Sequence, residues 1–282
     1  RPKEYRIKEL LRKKGLDGAI VSSPENFHYV TGFGGHQHTV SKQPGFTLAV
    51  MRADDKVPTH LTTMDFEAAT FRIKAAGLNF VVDPYDTWVG LKTWDEIAHG
   101  AVVPDKTAME SSMDKLVQFM KACDLANKKV GVELDYFPVP YYKSLTEKFP
   151  EAEFVDISDL FVYARSVKQP DEIEMFRNLC RIADHGFTEV SKIAKIGVSE
   201  RELAQCFRED VIKSGFCAPS AWSMFPTGPS SARLTLPGDG VVKDGDVVKF
   251  DAGVNAEFDF YTTDTSRAWI IGNGDPVLLK LK

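Results

Sequence analysis

Two aspartates carry the most suggestive chemical pattern in the chain. Asp251 and Asp264 lie in "KFDAGVNAEFDFYTTDTSRAW", residues 249 to 269, which alternates as two strands joined by a turn. If Asp251 pairs with Asp264, the strands close through a turn from Ala256 to Asp259, and the carboxylates face each other with Cβ atoms roughly 5 Å apart. Like charges directly opposite are destabilising. Val247, Val248, Phe250, Trp269, Ile270 and Ile271 flank the pair, so partial burial is expected, where unpaired carboxylates are costlier still. A pair of divalent metal ions taking oxygen ligands from both aspartates removes the conflict. Two plainer arrangements fit the same pattern: both acids solvated beside the turn, or Asp264 paired with Arg267.

The chain around this hairpin is long enough to hold it. At 282 residues, 43% of them hydrophobic, it can form two domains with a core each. The net charge is -5 and no block of five like charges occurs, which argues against nucleic acid or an anionic membrane as partner and for small molecules or peptides. Cys123, Cys180, Cys206 and Cys217 are widely spaced without a CxxC pair, as reduced thiols would be. The opening "RPKEYRIKEL" has no apolar run behind its charges, and no uncharged stretch is long enough to span a bilayer, so a cytoplasmic location is expected.

Residues 3 to 14, 65 to 76 and 109 to 127 have helical periodicity, and the segments at 18 to 23, 45 to 51, 58 to 63, 79 to 83 and 129 to 135 read as strands. That alternation predicts an α/β layer with a parallel or mixed sheet. After "FVYARSVKQPDEIEMF" the character changes. Pro170, followed by Asp171 and Glu172, opens a helix to about Ala194. Ser199 with Glu202 forms a capping box for a second helix that Gly215 ends, and strands follow. The domains are expected to be 1–158 and 159–282.

Four segments, in order, resemble one family. "GLDGAIVSSPENFHYVTGF" is similar to the N-terminal domain of the pita-bread metallohydrolases, the creatinase, prolidase and aminopeptidase P family. "ARSVKQPDEIEMFR" is similar to the opening of their catalytic domain, "VKDGDVVKFDAG" to the turn and strand that deliver a first metal ligand, and "DAGV...FYTTDTSRAW" to the segment that delivers a second. The resemblance implies an α/β N-terminal domain, an α+β pita-bread catalytic domain whose first half is present, and two divalent metal ions (manganese, cobalt or zinc) bound in part by Asp251 and Asp264. Ser266 and Arg267 would orient those ligands, and the molecule would be a homodimer.

The family places its aspartates two residues closer together; an even extension keeps the carboxylates on one face. Its remaining metal ligands are a histidine and two glutamates from the second half of the domain, yet beyond Asp264 this sequence has neither residue type. A longer polypeptide is the expectation. "TGPSSARLTLPGDG" puts Thr235 where peptidase members carry a catalytic histidine, and a hydroxyl cannot carry an imidazolium's charge. The resemblance implies hydrolysis of Xaa-Pro dipeptides or N-terminal Xaa-Pro peptides, with two alternatives: a member acting on a small amide or zwitterion of the creatine, ectoine or dimethylsulfoniopropionate type, which the Thr235 departure favours, or a catalytically silent module that binds peptides or proteins.

His36 and His38 lie in a polar, Gly-flanked loop and are expected to be solvated. In family dimers the corresponding loop reaches the other subunit's active site, which would let both contact substrate. Trp222, Phe225 and Tyr261 are candidate walls of a substrate pocket, or core residues of a β layer.

Overall fold

A computed structural model describes residues 2–87, 94–100, 107–215 and 217–280. The chain forms two compact units, Arg1–Val167 and Lys168–Lys282.

In the first unit, β1 (Gly18–Val21), β2 (Leu48–Arg52), β3 (Thr59–Thr62), β4 (Phe80–Val82), β5 (Lys129–Val132) and β6 (Glu153–Asp156) make one mixed sheet in the order β4-β3-β2-β1-β5-β6. β1 runs antiparallel to β2 and parallel to β5. Its two faces are both covered: Ala19 and Val21 of β1 pack into one cluster and Ile20 into the other, the period-two alternation of a strand. α1 (Glu4–Lys13), α2 (Pro24–Thr31) and α4 (Ala68–Ala75) contribute to the first cluster. Between them lies the short helix α3 (His36–Ser41); α5 (Trp94–Ala98) follows, and α6 (Ala108–Ala122) and α7 (Val139–Lys148) cover the second face. α8 (Ser158–Ser166), which a boundary at 158/159 would give to the second unit, buries Leu160, Phe161 and Ala164 in the first cluster.

α2 did not stand out in the sequence because its eight residues are too few to show a period. Its start is chemically specified: Ser23 caps it, Pro24 opens it, and Gly32 ends it in the left-handed region at φ 77°. Beneath the cap lies Glu133. Its carboxylate, wholly buried, accepts from the backbone N–H groups of Ser22 and Ser23, the Ser23 hydroxyl and the Asn26 amide. Burial pushes this carboxyl above its ordinary value, against the hydrogen bonds that favour its charge.

In the second unit, α9 (Pro170–Ile193) and α10 (Glu200–Lys213) pack against each other and against a small β layer. Gly186 permits the close approach, since a Cβ there would lie 2.7 Å from the Phe207 ring. Phe187 stacks on Phe207 with centroids 5.3 Å apart, and Phe225 and Phe250 continue the aromatic core. The expected capping box forms at Ser199 with Glu202, and a second one, not anticipated from the sequence, forms at Gln169 with Glu172. β7 (Cys217–Pro219) pairs with β9 (Val254–Ala256), while β8 (Val247–Ala252) pairs with β10 (Thr265–Ile270); α11 (Pro276–Lys280) comes last.

Candidate functional site

The hairpin closes one residue later than the sequence predicts. Ala256 donates its N–H to Tyr261 O, so the turn is Glu257 to Phe260, with Phe260 in the left-handed region at φ 60°. Moving the turn by one residue moves the register by two. Asp251 therefore pairs with Ser266, not with Asp264, and the flanking pairs Ala252 with Thr265 and Val254 with Thr263 put Asp264 opposite Gly253.

Because the shift is even, the faces are kept. Val248, Phe250 and Ala252 turn toward the helices and are fully buried, while Lys249, Asp251, Asn255, Thr262, Asp264 and Ser266 share the outer face. Asp251 and Asp264 are diagonal neighbours there, a relation that leaves their side chains roughly 7–8 Å apart at the backbone end rather than 5 Å. Gly253 between them is obligatory: a Cβ would lie 1.9 Å from Thr263 O and 3.0 Å from the Trp222 ring. Trp222 thus stands beside the strand break that separates the two acids.

Asp251 is held from both sides. Its backbone exchanges two hydrogen bonds with Met224, 2.7 and 3.0 Å, and its ladder partner on the other side is Ser266. Lys249 Nζ lies 3.7 Å from Asp251 Oδ2 and donates to Arg233 O at 3.2 Å. Asp264 is exposed. The alternative ion pair does not form: Arg267 lies on the helix-facing side, opposite Phe250, and binds Asp184 on α9 at 3.0 Å.

Several sequence expectations change place in the fold. Phe225 is wholly buried between Phe207 and Phe250, in the core of the unit. Tyr261 faces the helices, where its hydroxyl donates to Glu172 Oε1 at 2.9 Å and its ring meets Phe176 edge to face. His36 and His38 belong to α3 and not to a loop. His36 is exposed; His38 is only 3% exposed, its Nε2 lies 2.9 Å from Ser22 O, and its ring packs on Phe27. Burial lowers the His38 imidazole to about 4.

Thr235 is half-buried in the irregular segment from Arg233 to Gly240, its hydroxyl donating to Leu236 O at 3.3 Å. Sequence reasoning missed what anchors that segment. The buried carboxylate of Glu200 accepts from Thr227 N at 2.9 Å and Gly238 N at 2.7 Å, tying a residue ahead of the stretch and one near its end to the first turn of α10. Glu200 reads in the sequence as one more acid favouring a helix N-terminus, and nothing local marks its second task. Lys249 was legible, since a residue two before Asp251 in a strand must share its face.

Among the described residues no group of three or more His, Cys, Asp or Glu side chains is placed to hold a metal ion. The donors on the outer face are oxygens, two carboxylates with the Asn255 and Ser266 side chains beside them, the type that suits a divalent cation. They fit part of such a site.

The chain is thus a three-layer α/β unit followed in sequence by a unit whose helices pack on a β hairpin with two acids on its outer face. The chain belongs to the pita-bread M24 metallopeptidase family: the creatinase/prolidase N-terminal domain matches residues 5–167 and metallopeptidase family M24 matches residues 174–281. Among relatives, it is 25% identical over 271 residues to the uncharacterized peptidase YqhT of Bacillus subtilis, covering 95% of this chain and 64% of that one. It is 23% identical to a Xaa-Pro dipeptidase of Lactobacillus delbrueckii subsp. lactis, covering 96% and 65%, and 22% identical to an ectoine hydrolase of Halomonas elongata, covering 83% and 56%. The fold matches a Xaa-Pro dipeptidase from Bacillus anthracis with TM-score 0.74 at 20% identity, covering 99% of this chain and 67% of that one. The chain thus spans a little under two thirds of the length of the first two of these relatives.

Proposed function

We propose that this protein is a hydrolase of the amide bond in Xaa-Pro dipeptides or N-terminal Xaa-Pro peptides, dependent on two divalent ions, manganese, cobalt or zinc. The observation that carries the reading is the sharing of one hairpin face by Asp251 and Asp264. A divalent pair, when bound, supplies an activated water and polarises the scissile carbonyl. Asp251 and Asp264 would hold it. Ser266, across the ladder from Asp251, would fix the carboxylate's orientation through the strand pairing. Arg267 is turned away from this face and acts on α9 instead. Trp222 beside Gly253 would form an apolar wall.

A homodimer in the cytoplasm, with His36 exposed on α3, is the accompanying proposal. No described helix is long and apolar enough to cross a membrane. The test is turnover by the complete natural polypeptide, stripped with chelator and reloaded with manganese or cobalt. Metal-dependent release of proline from an Xaa-Pro dipeptide supports the reading. Cleavage of ectoine or another small amide, with no Xaa-Pro turnover, replaces it with a second reading. That second reading draws on Thr235, which offers no imidazolium, and on the ectoine hydrolase relative.

A further inference from the structure

The outer face of the hairpin carries two negative charges and, two residues before Asp251 on the same strand, one positive charge. Lys249 Nζ lies 3.7 Å from Asp251 Oδ2, and the two side chains are 21% and 18% exposed. The same ammonium donates to Arg233 O at 3.2 Å, so it is held at two points and largely shielded from water. Shielding strengthens charge interactions of both signs.

We propose that Lys249 is the site's internal counter-cation, neutralising Asp251 while the site is metal-free and opposing a divalent ion at that carboxylate. The proposal rests on the reading of Asp251 and Asp264 as metal carboxylates. It explains how two acids are tolerated on one face without a metal. Three charged groups in a row, Lys249, Asp251 and Asp264, leave one negative charge unneutralised, and that one is on the exposed acid, where water solvates it. A divalent ion bound to Asp251 repels the ammonium, which must withdraw. Withdrawal leaves it with a partner, because Arg233 O remains available. The ion-for-ammonium exchange therefore needs a side-chain rotation and no refolding, and its consequence is a metal affinity set below what the carboxylates alone would give.

The experiment is calorimetric titration of manganese into the complete, chelator-stripped protein, comparing wild type with Lys249→Met, Lys249→Gln and Lys249→Arg. Both neutral variants are expected to bind manganese at least about tenfold more tightly than wild type, and the arginine variant within a few fold of it. Glutamine keeps a donor for Arg233 O, so it separates charge from packing if the methionine variant fails to fold. Equal or weaker affinity in a folded neutral variant overturns the proposal, as does the same gain in Lys249→Arg. If wild type and every variant fail to bind manganese, the metal reading falls and the proposal with it; if wild type binds and neutral variants gain nothing, the proposal alone falls.

Discussion

Asp251 faces Ser266 across the β8–β10 ladder, and Asp264 lies one diagonal step away on the same face. This offset follows from a turn placed at Glu257 to Phe260, and it changes the electrostatics of the site. Direct opposition would press two carboxylates together; the diagonal gives each its own surroundings, with Lys249 beside one and solvent beside the other.

Asparagine at either position should separate chemistry from folding. Asp251→Asn and Asp264→Asn keep the shape and remove a charged ligand, so manganese affinity and metal-dependent turnover are expected to fall by at least about 100-fold. Thermal unfolding of the stripped Asp264→Asn protein should move little, since that carboxylate is exposed, whereas Asp251→Asn also takes the counter-charge from Lys249 and is expected to cost some stability. A variant that keeps full manganese affinity would remove that aspartate from the site.

Gly253→Ala tests the strand break. A Cβ 1.9 Å from Thr263 O forces the two strands apart, and a loss of roughly 3 kcal/mol or more is expected in urea unfolding. A stable alanine variant would mean that the hairpin register is not the one described.

Glu200→Ala should loosen the segment that contains Thr235. The substitution strands the N–H groups of Thr227 and Gly238, at about 1–3 kcal/mol, and hydrogen exchange between residues 227 and 240 should accelerate while α9 keeps its protection. Unchanged exchange in that stretch would remove Glu200 as its anchor.

Tyr261→Phe separates pocket from scaffold. Loss of the hydrogen bond to Glu172 is expected to lower stability by about 1 kcal/mol and to leave the Michaelis constant for any substrate unchanged. A large rise in that constant would return Tyr261 to the substrate pocket.

His38 predicts an acid sensitivity. Its imidazole is neutral in both states above its ordinary value of 6.5; below that, the unfolded chain takes up the proton first, until the folded protein follows at about 4. Stability is thus complete above about pH 6.5 and falls between there and about pH 4, by roughly 3 kcal/mol at most. Between pH 7 and pH 4.5, His38→Gln should lose less stability in urea than wild type does. The raised carboxyl of Glu133 works in the opposite sense but is common to both proteins, so the comparison isolates His38. Parallel losses would remove His38 as the cause.

Much of the scaffold was legible because its signals are local. Five of the six strands of the sheet show as apolar runs, while β6, two apolar residues between two acids, does not; α10 announces itself by Ser199 and Glu202, and α9 by Pro170 with two acids behind it. The domain limit was harder: α8 looks equally amphipathic whichever unit it serves, and only the burial of Leu160, Phe161 and Ala164 assigns it. Phe225 and Tyr261 misled for a related reason. An aromatic ring in a β layer carries no mark of which face it occupies until the strand's partners are known.

The sequence by itself determined the alternation of faces, and with it the sharing of one face by Lys249, Asp251 and Asp264, because side chains alternate with period two under any even change of register. It also determined the family, through motifs that keep their order along the chain. Tertiary structure alone decided that Ser266 is the residue facing Asp251, that Arg267 serves α9, that His38 is buried, and that Glu200 holds a distant loop. Each of these depends on where one backbone turn falls or on which residues far apart in sequence come into contact, and neither is encoded in the spacing of residues along a single element.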